Sequence, residues 1–263
     1  MKKMSRMENS SNRKFVDEAL RLAEEAQKKG IVIRIIGAIA VELHCPKYSY
    51  LRAKMDRPPH KDVDLITRGK YRNALKDFFA GMGYKSLAQM AVLYGQDRHT
   101  YIHKTSTDEV DVYFDKLDYC HRINLAERLE LDKPTITPSD ILLQKMQIVV
   151  INEKDLIDAS VLLREHDVRD TDGDMINASY ISRLLSHDWG FYYTFTRNLE
   201  KVKSRIVQIE NIENEDKSDI CSKIDKISQY LTSQPKSVAW KARSKIGTKK
   251  KWYKDIEGLP GRP

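Results

Sequence analysis

Asp62 and Asp64 stand one residue apart in Lys61-Asp62-Val63-Asp64-Leu65-Ile66, and Asp111 sits inside a second β-prone run, Glu109-Val110-Asp111-Val112-Tyr113-Phe114. Residues two apart on a strand project to the same side. Asp62 and Asp64 would therefore share one face, with Val63 and Leu65 on the other. With Asp111 on a neighbouring strand, three carboxylates meet. Carboxylates at that range repel one another unless a cation lies between them. Hard oxygen ligands favour Mg²⁺ or Mn²⁺, and such a site suits metal-assisted phosphoryl or nucleotidyl transfer. An Asp-x-Asp pair alone is also a common solvent-facing strand edge, so the surrounding elements carry the argument.

Upstream, Ile31 to Ile36 is a short β-branched run that reads as a buried strand. Gly37 follows, and Ala38 to Leu43 opens a helix. A strand, a Gly turn and a helix N-terminus aim backbone N–H groups at phosphate, which makes Gly37 and Ala38 candidate nucleotide contacts; an ordinary strand-to-helix turn has the same pattern. An amphipathic helix precedes them over 15–29, with Gly30 as its stop. Residues 45–61 read as a loop whose Arg57 and Lys61 either guide substrate or are solvated charges. A helix is expected over Tyr71–Met82. Tyr101–His103 and Val110–Phe114, around the polar turn 105–108, read as a β-hairpin with Asp111 in its second strand.

From about residue 120 the β signal fades. Thr137-Pro138-Ser139-Asp140 has the chemistry of a helix start. Lys145 on that helix would meet a triphosphate or neutralise the acids, unless it is a surface lysine. A second helix, from about Glu153 to Arg164, carries Lys154, Asp155 and Asp158 on one face, as supports of the site or as a local salt bridge. Residues 167–174 read as an acidic loop. Phe195, Leu199, Val202, Ile206 and Ile209 form a helical seam, and Ile220–Leu231 a further helix. The aromatic cluster Trp189, Phe191, Tyr192, Tyr193 and Phe195 fits core packing better than base stacking. His44, His99 and His103 lack ligand spacing, with cysteine or with one another, and receive no role.

This gives an α/β (α+β) fold: a small mixed sheet with helices followed by a helical C-terminal domain. The boundaries expected are a catalytic domain over 1–120, a helical domain over 121–232 and a basic, mobile tail over 233–263. The net charge of +8 favours polyanionic partners such as RNA or nucleotide phosphates. Three scattered cysteines, Cys45, Cys120 and Cys221, argue against a disulfide framework or a zinc site and fit a reducing cytoplasm. No apolar run is long enough to span a bilayer, and the polar, basic N-terminus does not read as a signal peptide.

The order strand, Gly turn, helix, Asp-x-Asp strand, later single Asp resembles the nucleotidyltransferase superfamily of polymerase-β-like fold. The long gap between Gly37 and Asp62 and the nearby Arg57 look closest to the AbiEii-type branch, which includes toxins of toxin–antitoxin pairs. That branch carries a helix with a lysine and then a Lys-Asp-x-x-Asp segment, matched by Ser139–Lys145 and by Lys154-Asp155-Leu156-Ile157-Asp158. The resemblance spans roughly residues 30–165. It implies a Mg²⁺- or Mn²⁺-dependent enzyme moving an NMP from an NTP, ATP among them, to a hydroxyl acceptor such as tRNA or another RNA. Asp62, Asp64 and Asp111 would bind metal and catalyse; Gly37, Ala38 and Lys145 would bind nucleotide. Where the family has Gly-Gly or Gly-Ser, this chain has Gly37-Ala38, which offers an N–H but no hydroxyl. The alternatives are a nucleotide- or RNA-binding protein that kept the fold without turnover, and a toxin neutralised by an antitoxin protein.

Overall fold

Helix α1 (Lys2–Lys28) begins well before residue 15, where the sequence reading starts it. Its inward stripe is Ala19, Leu22, Ala23 and Ala26, at the i, i+3, i+4, i+7 spacing of an amphipathic helix. Gly30 ends it in the left-handed region (φ +71°), and Ile31 donates back to the Ala26 carbonyl. The computed structural model describes residues 2–87, 97–106 and 108–255, with side chains described from residue 12 onward.

The chain divides into two units. The first comprises residues 1–43, 58–117 and 124–136. After α1 come β1 (Ile33–Ile35), α2 (Gly37–His44, whose last residue belongs to the second unit), β2 (Asp62–Thr67), α4 (Arg72–Gly81), β3 (Tyr84–Ser86), β4 (Arg98–His103) and β5 (Glu109–Phe114). The sheet order is β1-β2-β5-β4-β3. Only β2 and β5 run parallel; every other adjacent pair is antiparallel. The expected hairpin is present as β4–β5, while β3, too short to leave a periodic signal, adds an edge strand. Phe79 of α4 stacks on Tyr101 of β4 with ring centroids 4.0 Å apart, and both are buried. The segment ending at Ile136 returns to this unit, where Pro134 accepts from the Ile35 N–H.

The second unit takes residues 44–57, 118–123 and 137–263, so the expected single boundary after residue 120 is not how the contacts divide. Its helices are α3 (Tyr50–Lys54), α5 (Pro138–Met146), α6 (Glu153–Glu165), α7 (Ala178–Leu185), α8 (Trp189–Gln208), α9 (Asn214–Ser233) and α10 (Val238–Ile246). Thr137 caps α5 as its chemistry requires: it accepts from the Asp140 N–H and donates to the Asp140 carboxylate. Asn152, Asn177, Asp188 and Ser237 cap α6, α7, α8 and α10, each accepting from a backbone N–H of the first turn. The α8 seam of Phe191, Phe195, Leu199, Val202 and Ile206 is buried, as are Ile220, Ile224, Ile227 and Leu231 of α9. The expected acidic loop 167–174 is bracketed by a two-residue parallel ladder, β6 (Val168–Arg169) with β7 (Ile176–Asn177).

The segment 44–57 is more than a loop. Tyr50 of α3 donates to Asp216 at 2.6 Å, the Tyr48 N–H donates to Glu165 at 2.9 Å, and the Arg164 guanidinium lies 4.0 Å from the Tyr48 ring centroid. Nor do residues 233–255 form the mobile tail expected from their charge. Ser237 starts α10, Trp240 packs edge-on to Tyr192, and Arg243 lies over Trp189. Trp252 donates its indole N–H to Thr194 at 3.1 Å, and Lys254 donates its backbone N–H to Cys120. The cations there ride on aromatic faces, so counting charge alone misread the segment. The aromatic cluster of α8 is packed, as expected. No helix among the described residues is long and apolar enough to cross a membrane.

Candidate active site

Register gathers the acids of the first unit. In the parallel pair, Asp64 of β2 lies beside Asp111 of β5, and Asp62 lies beside Glu109. Side chains alternate along each strand, so Val63, Leu65, Val110 and Val112 turn to the buried face while Asp62, Asp64, Glu109 and Asp111 share the other. Glu109 is a fourth carboxylate that the sequence reading missed. The signal was available two residues before Asp111 but needed the partner register to give it meaning.

Asp111 is half-buried, and strand β4 supplies partners to its carboxylate. Thr100, directly opposite on β4, donates its hydroxyl to Asp111 at 2.5 Å. Arg98, two residues along on the same face, places Nη1 3.3 Å from the other carboxylate oxygen. Burial pushes the Asp111 carboxyl above the usual aspartate range; Thr100 and Arg98 oppose this, and Asp62 and Glu109 add to it by repulsion. Arg98 and Thr100 were also missed. Their alternation becomes legible only once β4 is paired antiparallel to β5.

Gly37 brings the turn to the acids. It opens α2 with φ +69°, a left-handed conformation that L side chains rarely adopt. A Cβ at this position would lie 2.9 Å from Asp64 Oδ2, so only glycine lets the backbone approach the carboxylate this closely. The Ile36 N–H donates to the Asp64 carbonyl and fixes the approach. Ala38 follows, half-buried, in the first turn of the helix. Lys61, just before the strand, is exposed.

The residues fit a divalent cation by donor chemistry: an all-oxygen carboxylate set, with a guanidinium already supplying positive charge at Asp111. The same guanidinium would compete with a cation there.

The other expected site residues form a separate cluster within the second unit. Arg57 grips Asp158 with Nε and Nη2, each 3.0 Å from a carboxylate oxygen. Lys145 donates to Asp158 at 2.8 Å and to Asp155 at 2.9 Å. Asp158 is fully buried and Lys145 is 7% exposed, so Lys145 is not a surface lysine. Burial alone would raise the Asp158 carboxyl, but Lys145 and Arg57 hold it well below the usual range. Burial likewise opposes the Lys145 charge, and Asp155 and Asp158 outweigh it, raising the ammonium above its ordinary value. The salt bridge expected within α6 is therefore made from outside that helix, by α5 and by the 44–57 segment. Lys154 is exposed.

No protein-family model matches the chain, and no curated protein matches it. Among solved structures, the chain is similar to an antigenic nucleotidyltransferase-like protein from Paracoccidioides brasiliensis. The TM-score is 0.40 at 13% identity, covering 87% of this chain and 97% of that one.

Proposed function

We infer that the first unit is a nucleotidyltransferase centre, in which a hydroxyl acceptor attacks the α-phosphate of an NTP, takes the NMP and releases pyrophosphate. The observation that carries this reading is the pairing of Asp64 with Asp111 in register, with Asp62 on the same face and Gly37 packed against Asp64. Asp62, Asp64 and Asp111 would hold Mg²⁺ or Mn²⁺, and Glu109 is placed to join them. When bound, such a cation neutralises phosphate charge and polarises the reacting oxygens. The residues of the chain do the rest. The first turn of α2, at Gly37 and Ala38, presents the positive end of the helix to a triphosphate. Thr100 and Arg98 hold the Asp111 carboxylate in one orientation. Asp111 would also take up the proton of the attacking hydroxyl. The buried cluster of Lys145, Asp155, Asp158 and Arg57 supports a bracing role for these residues; direct nucleotide contact by Lys145 would require exchanging one of its two carboxylate partners. The basic charge supports an RNA acceptor, tRNA included, and a toxin role with an antitoxin partner stays within the proposal.

A second reading, a nucleotide- or RNA-binding protein without turnover, draws on the Arg98–Asp111 ion pair and on Ala38. Transfer of α-labelled ATP, GTP, CTP and UTP to total RNA and to protein, with Mg²⁺ or Mn²⁺, separates the two. Label incorporated by the wild type and lost in Asp62→Asn/Asp64→Asn supports the enzyme. Metal-dependent nucleotide binding without incorporation supports the second reading.

A further inference from the structure

His44 lies together with His166 and Asp174 in the second unit; Asp174 follows His166 by eight residues, while His44 is far from both in sequence. One donor atom from each falls within 4.8 Å of the other two, and this is the set of metal-ligating type that converges so closely among the described residues. His166 closes α6 and its side chain is 1% exposed. Its Nδ1 faces two acceptors of Asp174, the carboxylate at 3.0 Å and the backbone carbonyl at 3.2 Å. Two acceptors on one nitrogen fix the proton there. The other nitrogen, Nε2, is left with a bare lone pair, sealed from solvent and without a hydrogen-bond partner. Such a lone pair is what a metal takes from histidine, and a carboxylate on the opposite ring nitrogen is the usual support for it.

The rings stand at a separation that fits. Two imidazoles on one tetrahedral Zn²⁺, each bound at about 2.0–2.1 Å, place their centroids about 5.2 Å apart. The centroids of His44 and His166 are 5.4 Å apart, with the ring planes at 75°.

We propose that His44, His166 and Asp174 form a site for a divalent transition metal of the Zn²⁺ class, separate from the carboxylate site of the first unit. His44 and His166 supply imidazole nitrogens, Asp174 orients His166 and offsets the ionic charge, and water completes the shell. Nitrogen donors set it apart from an all-oxygen Mg²⁺ site.

The test is titration of untagged, metal-stripped full-length protein with Zn²⁺ by calorimetry and with Co²⁺ by visible absorption. The expected result is the intense absorption of low-coordinate Co²⁺, saturating at one equivalent; cation taken up by the all-oxygen acids of the first unit adds only weak absorption. His44→Asn and Asp174→Asn should each weaken binding on the order of 10–100-fold, while Asp62→Asn/Asp64→Asn leaves the Co²⁺ spectrum unchanged. Asp174 is 83% exposed at its side chain, so its variant keeps the fold even if one at His166 does not. Absence of binding overturns the proposal. So does binding that survives both His44→Asn and Asp174→Asn, or that vanishes only with the first-unit acids.

Discussion

Replacing Asp158 with asparagine removes one charge and almost no volume. Around it, Arg57 and Lys145 pair with Asp155 and Asp158, and the buried Arg52 adds further positive potential at Asp158. Asp158 accepts three charge-assisted hydrogen bonds, two from Arg57 and one from Lys145. Asparagine offers one acceptor oxygen, and its NH₂ must face a cation's N–H, so at least one bond becomes a donor–donor contact. A net positive charge is then left where Asp158 is 0% and Arg57 5% exposed at the side chain. Breaking a buried pair in this way costs about 3–5 kcal/mol. All three tryptophans, Trp189, Trp240 and Trp252, belong to the second unit, so their fluorescence reports its unfolding. With a urea slope of about 2 kcal/mol/M, the midpoint should fall by about 1.5–2.5 M. Glu200→Gln, which breaks the exposed Arg197–Glu200 pair, should cost less than about 1 kcal/mol. The pH dependence has a definite sign. A carboxyl held low in the folded state stabilises the fold above its unfolded value, about 3.9, and that contribution is lost as pH falls toward the depressed folded value. The wild type should lose this stabilisation below about pH 4, and Asp158→Asn should show a shallower acid limb. A midpoint for Asp158→Asn within about 0.5 M of wild type, a shift of about 1 kcal/mol, would refute the reasoning.

Two further outcomes concern the first unit. Gly37→Ala forces a side chain into left-handed backbone at about 1–2 kcal/mol and drives Cβ against Asp64 Oδ2; amide exchange in β2 and β5 should quicken, and unchanged protection would show that the turn relaxes freely. The Asp111 carboxyl, read by carbon-13 NMR without divalent metal, should titrate above the ordinary aspartate value and shift downward on adding Mg²⁺. Its folded value is raised, so its contribution to stability is greatest at low pH and is lost as pH rises through that value; titration at or below the ordinary value would contradict the burial argument.

What was legible in the sequence was local. Asp62–Thr67 shows its face by alternation, and Thr137-Pro138 announces a helix by its caps, since both signals lie within a few residues. Arg98, Thr100 and Glu109 join the acids through strand register, which one strand alone does not encode. Arg57 meets Asp158 across 101 residues, and His44 meets His166 through the fold alone. The residues after 233 misled for another reason: their lysines outnumber the few aromatic anchors, Trp240 and Trp252, that hold them in place.

The interleaving of the two units bears on how the protein is made. Residues 44–57 leave a ribosome before most of the unit they belong to. At about 5–20 residues per second, the 101 residues between Arg57 and Asp158 take roughly 5–20 s to synthesise. Throughout that interval Cys45, Leu51 and Met55, all buried in the finished protein, have no mature core to enter. The nascent chain therefore passes through a stage in which a short apolar stretch is available to chaperones or to neighbouring chains. A fragment cut after residue 120 would be arrested in that stage.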